Sequence, residues 1–254
     1  MRRLIPYLLA ASLCAAIAPA VTAQIPTTAV DNLPATSLFK QGETQFEAGN
    51  YQDAIQSYTA AIQRDPNHVP SLIGRAFSRF RLRQLRGAYK DYSDAIAIEP
   101  NATEAYVGRA VVAFFQRKKN QALADYTKAI KLDPDLAPAY MGRGQIYLLV
   151  ENYQRAIQDY NQAIRIDSNF APAYASRGLA RMHKGDEKGA LEDYNRAIDL
   201  DPTNANAYAG RGGAHYARGN RSQAVQDFEQ AAALYAQQGN DIGYKTMQEA
   251  LKSL

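Results

Sequence analysis

From residue 35 onward, small, aromatic and polar positions recur in a fixed order every 34 residues. Tyr58, Tyr92, Tyr126, Tyr160, Tyr194 and Phe228 share one register without insertion or deletion. So do Ala54, Ala88, Ala122, Ala156, Ala190 and Ala224, and then Ala61, Ala95, Ala129, Ala163, Ala197 and Ala231. A period of this length marks an array of supersecondary units that cannot bury their apolar faces alone and must stack. Six units carry it: 35–68, 69–102, 103–136, 137–170, 171–204 and 205–238. In 137–170 the pattern predicts a first helix over about 138–150, a turn at Glu151–Asn152 and a second helix over about 153–166. Pro138 suits a helix start, where its missing N–H goes unmissed, and Pro66, Pro100, Pro134 and Pro202 stop the second helices.

The small residues at the eighth place of each unit (Gly42, Ala76, Ala110, Gly144, Gly178, Gly212) face the alanine at the twentieth and let paired helices approach closely. The aromatic at the twenty-fourth place fills the space beside them. With alanine at the twenty-seventh place and proline at the thirty-second, these positions resemble the tetratricopeptide repeat family. The resemblance implies an all-α, right-handed superhelical solenoid of six helix-turn-helix units. Arg75, Arg109, Arg143, Arg177 and Arg211 stand at the seventh place, where the family commonly has Leu, and two units lack the proline. After Gly239–Asn240, the segment 239–254 puts Met247, Leu251 and Leu254 on one helical face and is predicted to be the capping helix.

In the family, first helices line the concave wall and hold a partner at places 2, 5, 9, 12 and 13. Carried onto this register, that wall contains Ile73, Phe77, Phe80, Val107, Val111, Phe114, Phe115, Met141, Gln145, Leu148, Leu149, Leu179 and Met182. In each of the pairs Phe114–Phe115 and Leu148–Leu149, at least one residue is surplus to the core. The family's carboxylate clamp is missing, because its places hold Phe39, Glu43, Gly74, Glu104 and Gly108. The expected partner is a client protein segment with apolar anchors. A second feature is a basic edge of Arg79, Arg81, Arg83 and Arg86 with, one repeat later, Arg117, Lys118 and Lys119; it suggests peripheral contact with an anionic envelope surface, polysaccharide or lipid.

Charge and chemistry narrow the picture further. The first 23 residues run from Arg2 and Arg3 through a mostly apolar stretch to Ala20-Val21-Thr22-Ala23, the order of a cleavable signal peptide. Cleavage before Gln24 would leave a Pro/Thr-rich lead-in over 24–34 and an exported chain, periplasmic or secreted. Losing Arg2 and Arg3 lowers the formal charge from +4 to +2, too near neutral to argue for nucleic acid. The single cysteine, Cys14, lies in the leader, so the mature chain has neither disulfide nor thiolate metal site. His68, His183 and His215 form no pair at metal spacing, and no phosphate loop or nucleophile elbow is present. No cofactor, metal or catalytic residue is expected. Finally, the five units with Arg at the seventh place also have Asp at the twenty-third (Asp91, Asp125, Asp159, Asp193, Asp227), whereas the first unit has Gln41 and Ser57. Joint presence and absence predict an Arg–Asp pair within each unit.

Overall fold

The computed structural model describes residues 33–254; the expected leader and all but the last two residues of the lead-in lie outside the described residues. Every element among the described residues is a helix. Contacts divide them into two compact units. The first, 33–134, holds three helical hairpins: α1 (Ala35–Glu47) with α2 (Tyr51–Arg64), α3 (Val69–Arg81) with α4 (Leu85–Ile98), and α5 (Thr103–Phe115) with α6 (Lys119–Leu132). The second, 135–254, holds α7 (Ala137–Leu149) with α8 (Tyr153–Ile166), α9 (Ala171–His183) with α10 (Glu187–Leu200), and α11 (Ala205–Ala217) with α12 (Arg221–Gln237), followed by α13 (Asp241–Ser253). Within each unit the first helices of successive hairpins lie side by side, and each second helix packs against the first helices flanking it.

Close approach around one ring builds the core. Tyr58, 1% exposed, lies where a Cβ on Gly42 or on Gly74 would come within 2.6 Å of its ring carbons. The ring is therefore clasped by its own hairpin and by the next one, and only glycine at both places leaves room for it. Tyr194 sits likewise between Gly178 and Gly210. Each such ring contributes about 1.5–3 kcal/mol of burial. Burial also pushes the Tyr58, Tyr92, Tyr126, Tyr160 and Tyr194 hydroxyls well above the usual phenol range.

The recurrent Arg and Asp pair inside every hairpin that has them. Nε and Nη2 of the guanidinium donate to the two carboxylate oxygens at 3.0 and 2.8 Å in Arg75–Asp91 and at 2.8 and 2.8 Å in both Arg109–Asp125 and Arg143–Asp159. The distances are 2.9 and 2.6 Å in Arg177–Asp193 and 2.9 and 2.7 Å in Arg211–Asp227. The Asp side chains are almost fully buried, so these two-pronged bonds satisfy charges that water cannot reach. The remaining Nη1 does more than the sequence pattern predicts. It donates to the twenty-fifth place of the preceding hairpin: Arg75 to Thr59 at 3.2 Å, Arg109 to Ser93 at 3.2 Å, Arg177 to Asn161 at 2.7 Å and Arg211 to Asn195 at 2.8 Å. One side chain thus ties its hairpin together and fixes the hairpin before it. In the first repeat Ser57 donates to Gln45 instead, at 2.7 Å.

The second helices stop just before Pro66, Pro100, Pro134 and Pro202, and the residue ahead of the proline place adds a second stop. Asp65, Asp167 and Asp201 follow the second helices in extended conformation, and their carboxylates accept from the backbone N–H two residues on at 3.0, 2.9 and 2.9 Å. This turn stops α8 although Ser168 stands where the proline would be. At the end of α12 the same place is Tyr235, which cannot make the turn, and that helix runs on to Gln237. Tyr235 is buried under α13 together with Met247, with Leu251 and Leu254 packed alongside.

Candidate partner-binding surfaces

Turns between paired helices use a left-handed residue at the fifteenth place, whose N–H and that of the next residue satisfy carbonyls of the preceding helix. Gly49, Gly185 and Gly219 do this without strain at φ 77–80°. In the second, third and fourth repeats the residue is Arg83, Arg117 or Glu151, at φ 59–61°, a conformation that costs a side-chain-bearing residue about 1 kcal/mol.

On the first-helix faces, most of the expected wall of 33–134 is core. Ile73, Phe77, Phe80, Val107 and Val111 are buried, as is Met141 in 135–254. The reason is size: Phe77 meets Phe46 ring to ring at 4.9 Å, and Phe80 meets Phe115 edge to face at 5.2 Å, so the side-by-side helices close over these rings. Phe114 is half-buried, and Phe115 at the thirteenth place is partly open, its ring 5.4 Å from the Arg83 guanidinium.

In 135–254 the face stays open. Leu149 is 52% exposed and Leu179 42%, while Gln145, Leu148 and Met182 are half-buried. A residue the sequence reading passed over joins them: Tyr216, 53% exposed, at the twelfth place of its repeat, where Leu148 and Met182 stand in theirs. The register alone would have found it. Beside it Gly213 occupies the ninth place, with nothing within 4 Å of where a side chain would begin. At places 2, 5, 9, 12 and 13 of α7, α9 and α11 there is no Asp, Glu, Lys or Arg.

Of the seven residues of the basic edge, one is bound to a buried carboxylate, one is half-buried on a ring and five are exposed. Arg79 belongs to the interior: its Nη1 donates to Asp91 at 2.6 Å beside Arg75, because the eleventh place faces the buried carboxylate at the twenty-third. Arg81 is half-buried, its guanidinium 4.5 Å from the Tyr51 ring. Arg83, Arg86, Arg117, Lys118 and Lys119 are exposed. Three contacts hold their two turns together: Arg83 on Phe115, Gln116 donating to the Leu85 carbonyl at 3.1 Å, and the Lys118 ammonium 4.7 Å from the Tyr89 ring. Tyr89, Arg117, Lys118, Lys119, Asn120 and Gln121 line an open depression there.

The histidines have local roles. The His68 side chain accepts the Ser71 N–H and caps α3, and His183 stacks flat on Tyr153 at 4.8 Å. His215 is half-buried, and burial holds its imidazole below the usual range. No group of His, Cys, Asp or Glu suited to a metal occurs among the described residues, and none of their helices is long and apolar enough to cross a membrane.

Three tetratricopeptide repeat models match the chain, over 35–68, over 137–170, and over 113–150 with 180–219. The chain belongs to the tetratricopeptide repeat family. No curated protein matches it by sequence. Among solved structures it resembles MamA, at 25% identity and a TM-score of 0.58 over 67% of this chain and 93% of that one. It also resembles YrrB, described as a TPR protein with an unusual peptide-binding site, at 19% identity and 0.57 over 76% and 97%. Pseudomonas aeruginosa pilF, at 15% identity and 0.73 over 85% and 97%, shares the fold. The family's general work is non-catalytic protein–protein interaction, with peptide or protein partners.

Proposed function

We propose that this chain is an exported, non-catalytic scaffold that holds a client protein segment by apolar anchors on the first-helix face of 135–254. The observation that carries the reading is the exposure of Leu149, Leu179 and Tyr216 on neighbouring helices that present no formal charge at the partner-facing places. Large uncovered apolar side chains in a neutral setting favour an apolar segment over an acidic one. Gly213 leaves space one helical turn from Tyr216 for a bulky anchor. Export rests on the order of parts in residues 1–23.

Selection from a random displayed-peptide library with the chain 24–254 tests the groove. Selected peptides should be rich in Leu, Ile or Phe, and Leu179→Ser with Tyr216→Ser should weaken the best of them by more than about 2 kcal/mol without changing helicity. Acidic peptides among the winners, or unchanged affinity in the double variant, would sink the reading. Mass spectrometry of the native chain tests export, with Gln24 expected as the first residue.

A further inference from the structure

We infer that the paired turns of α3–α4 and α5–α6 form a docking edge for a bilayer containing acidic phospholipid. The inference stands apart from the client groove, since it uses residues of 33–134 alone.

The charge of this edge is uncompensated. Residues 79–90 contain five basic residues and no carboxylate, and residues 105–124 contain four and none. Arg79 and Arg109 are consumed by buried Asp91 and Asp125. Arg83, Arg86, Arg117, Lys118 and Lys119 are exposed and pair with no carboxylate among the described residues. They are also held as one patch, because Arg83 reaches the Phe115 ring and Gln116 bonds the Leu85 carbonyl, locking neighbouring turns side by side.

Backbone conformation supplies an independent sign. Arg83 and Arg117 occupy the left-handed turn place that three other repeats fill with glycine and one with Glu151. An arginine there carries strain that glycine would remove, so its side chain supplies something the turn itself does not need.

Geometry favours a surface over a peptide. Arg83, Arg117 and Lys118 lie in two neighbouring turns, Arg86 and Lys119 in the first turns of the helices that follow, and the depression beside them is open, so an extended array of phosphates suits them better than a single buried anion. Their long apolar stems, together with the part-open Phe115, suit the interfacial layer of a bilayer. Each cation near an anionic membrane contributes about a fivefold factor in affinity. Removing two should then cost about 30-fold, and binding should fall steeply as salt rises.

The test is co-sedimentation of the chain 24–254 with vesicles of neutral phosphatidylcholine, alone or with about a third phosphatidylglycerol. Binding is expected only with the acidic lipid, and Arg83→Gly with Arg117→Gly should weaken it about 30-fold. Glycine is native at this place elsewhere in the chain, so the double variant keeps its fold, and an unchanged or raised melting temperature verifies that. Glu151→Gly makes the same backbone change without removing a cation and should bind as the parent does. Three results would overturn the inference: no acidic-lipid binding at low salt, binding that the double variant retains in full, or a soluble polyglutamate that binds the edge while vesicles do not.

Discussion

Where residues 33–134 place Glu43, Phe46, Phe77, Phe80, Val111 and Phe114 at the ninth and twelfth places of their first helices, residues 135–254 place Gln145, Leu148, Leu179, Met182, Gly213 and Tyr216. The framework is the same in both regions: a buried aromatic clasped by small residues, and Arg bonded to Asp. In the first region Phe46, Phe77 and Phe80 meet neighbouring rings and close most of the face, with Phe114 half-buried and Phe115 part-open. In the second, Gln145, Leu148 and Met182 are half-buried, and Leu179 and Tyr216 stay 42% and 53% exposed. The shared framework sets where a face lies, whereas the contacts that side chains at these places find on the neighbouring helix set whether it is core or surface.

The largest expected effect separates these roles directly. Phe77→Ala removes a ring that is 1% exposed and packed at a tilt against Phe46, so it should cost about 3–5 kcal/mol in urea denaturation. Leu179→Ala, at the same place three repeats later, should cost under about 1 kcal/mol because much of its side chain is already in water. Similar losses at both positions would erase the distinction between a closed and an open face.

The next effect probes the framework itself. Arg109→Ala leaves Asp125, 2% exposed, with only the neutral Gln121 amide at 3.0 Å, and should cost about 2–4 kcal/mol. Arg177→Ala leaves Asp193 with a second cation, since Arg181 stays 2.9 Å away, so its cost should be smaller by about 1 kcal/mol or more. Adding Asp125→Ala to Arg109→Ala should bring little further loss, and strictly additive losses would show that the pair does not act as a unit.

How far the sequence led is visible in these same residues. The Arg–Asp pairs were legible because both partners appear together in five repeats and vanish together in the first. Their third bond, to the preceding hairpin, was hidden because its acceptor changes among Thr59, Ser93, Asn161 and Asn195. Phe77 and Phe80 were read as wall because the register assigns their places to ligand contact; nothing in one repeat tells how large the neighbouring repeat's ring is. Arg79 reads as edge because it stands in one basic run with Arg81, Arg83 and Arg86, although the eleventh place lies across from the buried Asp91. Tyr216 was recoverable from the register by comparison with Met182.

A third test asks whether the clasped rings behave alike in both regions. Burial raises the phenol groups of Tyr92 and Tyr194 in the folded chain, while the unfolded chain releases these protons near pH 10. Above that pH the unfolded state binds fewer protons, so stability is complete below about pH 10 and falls as pH rises, by about 1.4 kcal/mol per pH unit for each such tyrosine. Tyr92→Phe and Tyr194→Phe should each make the alkaline loss shallower by one tyrosine's share. A slope unchanged in either variant would mean that this ring is open to solvent.

The smallest effect concerns the turns, and it has the opposite sign. Glu151 holds φ 59° at a place where Gly185, one repeat on, holds φ 79°. A Cβ in this conformation crowds its own backbone, and glycine escapes that crowding while giving back part of the gain through greater freedom in the unfolded chain. Glu151→Gly should therefore stabilise 135–254 by about 0.5–1 kcal/mol, and Gly185→Ala should destabilise it by a similar amount, both read in urea denaturation. Nothing lies within 4 Å of where a Gly185 side chain would begin, so its loss would come from backbone conformation and not from a clash. If Glu151→Gly instead lowers stability, the Glu151 side chain makes an energetic contribution larger than the strain. The left-handed place would then cease to mark residues kept at the turn's expense, and the corresponding sign at Arg83 and Arg117 would lose its force.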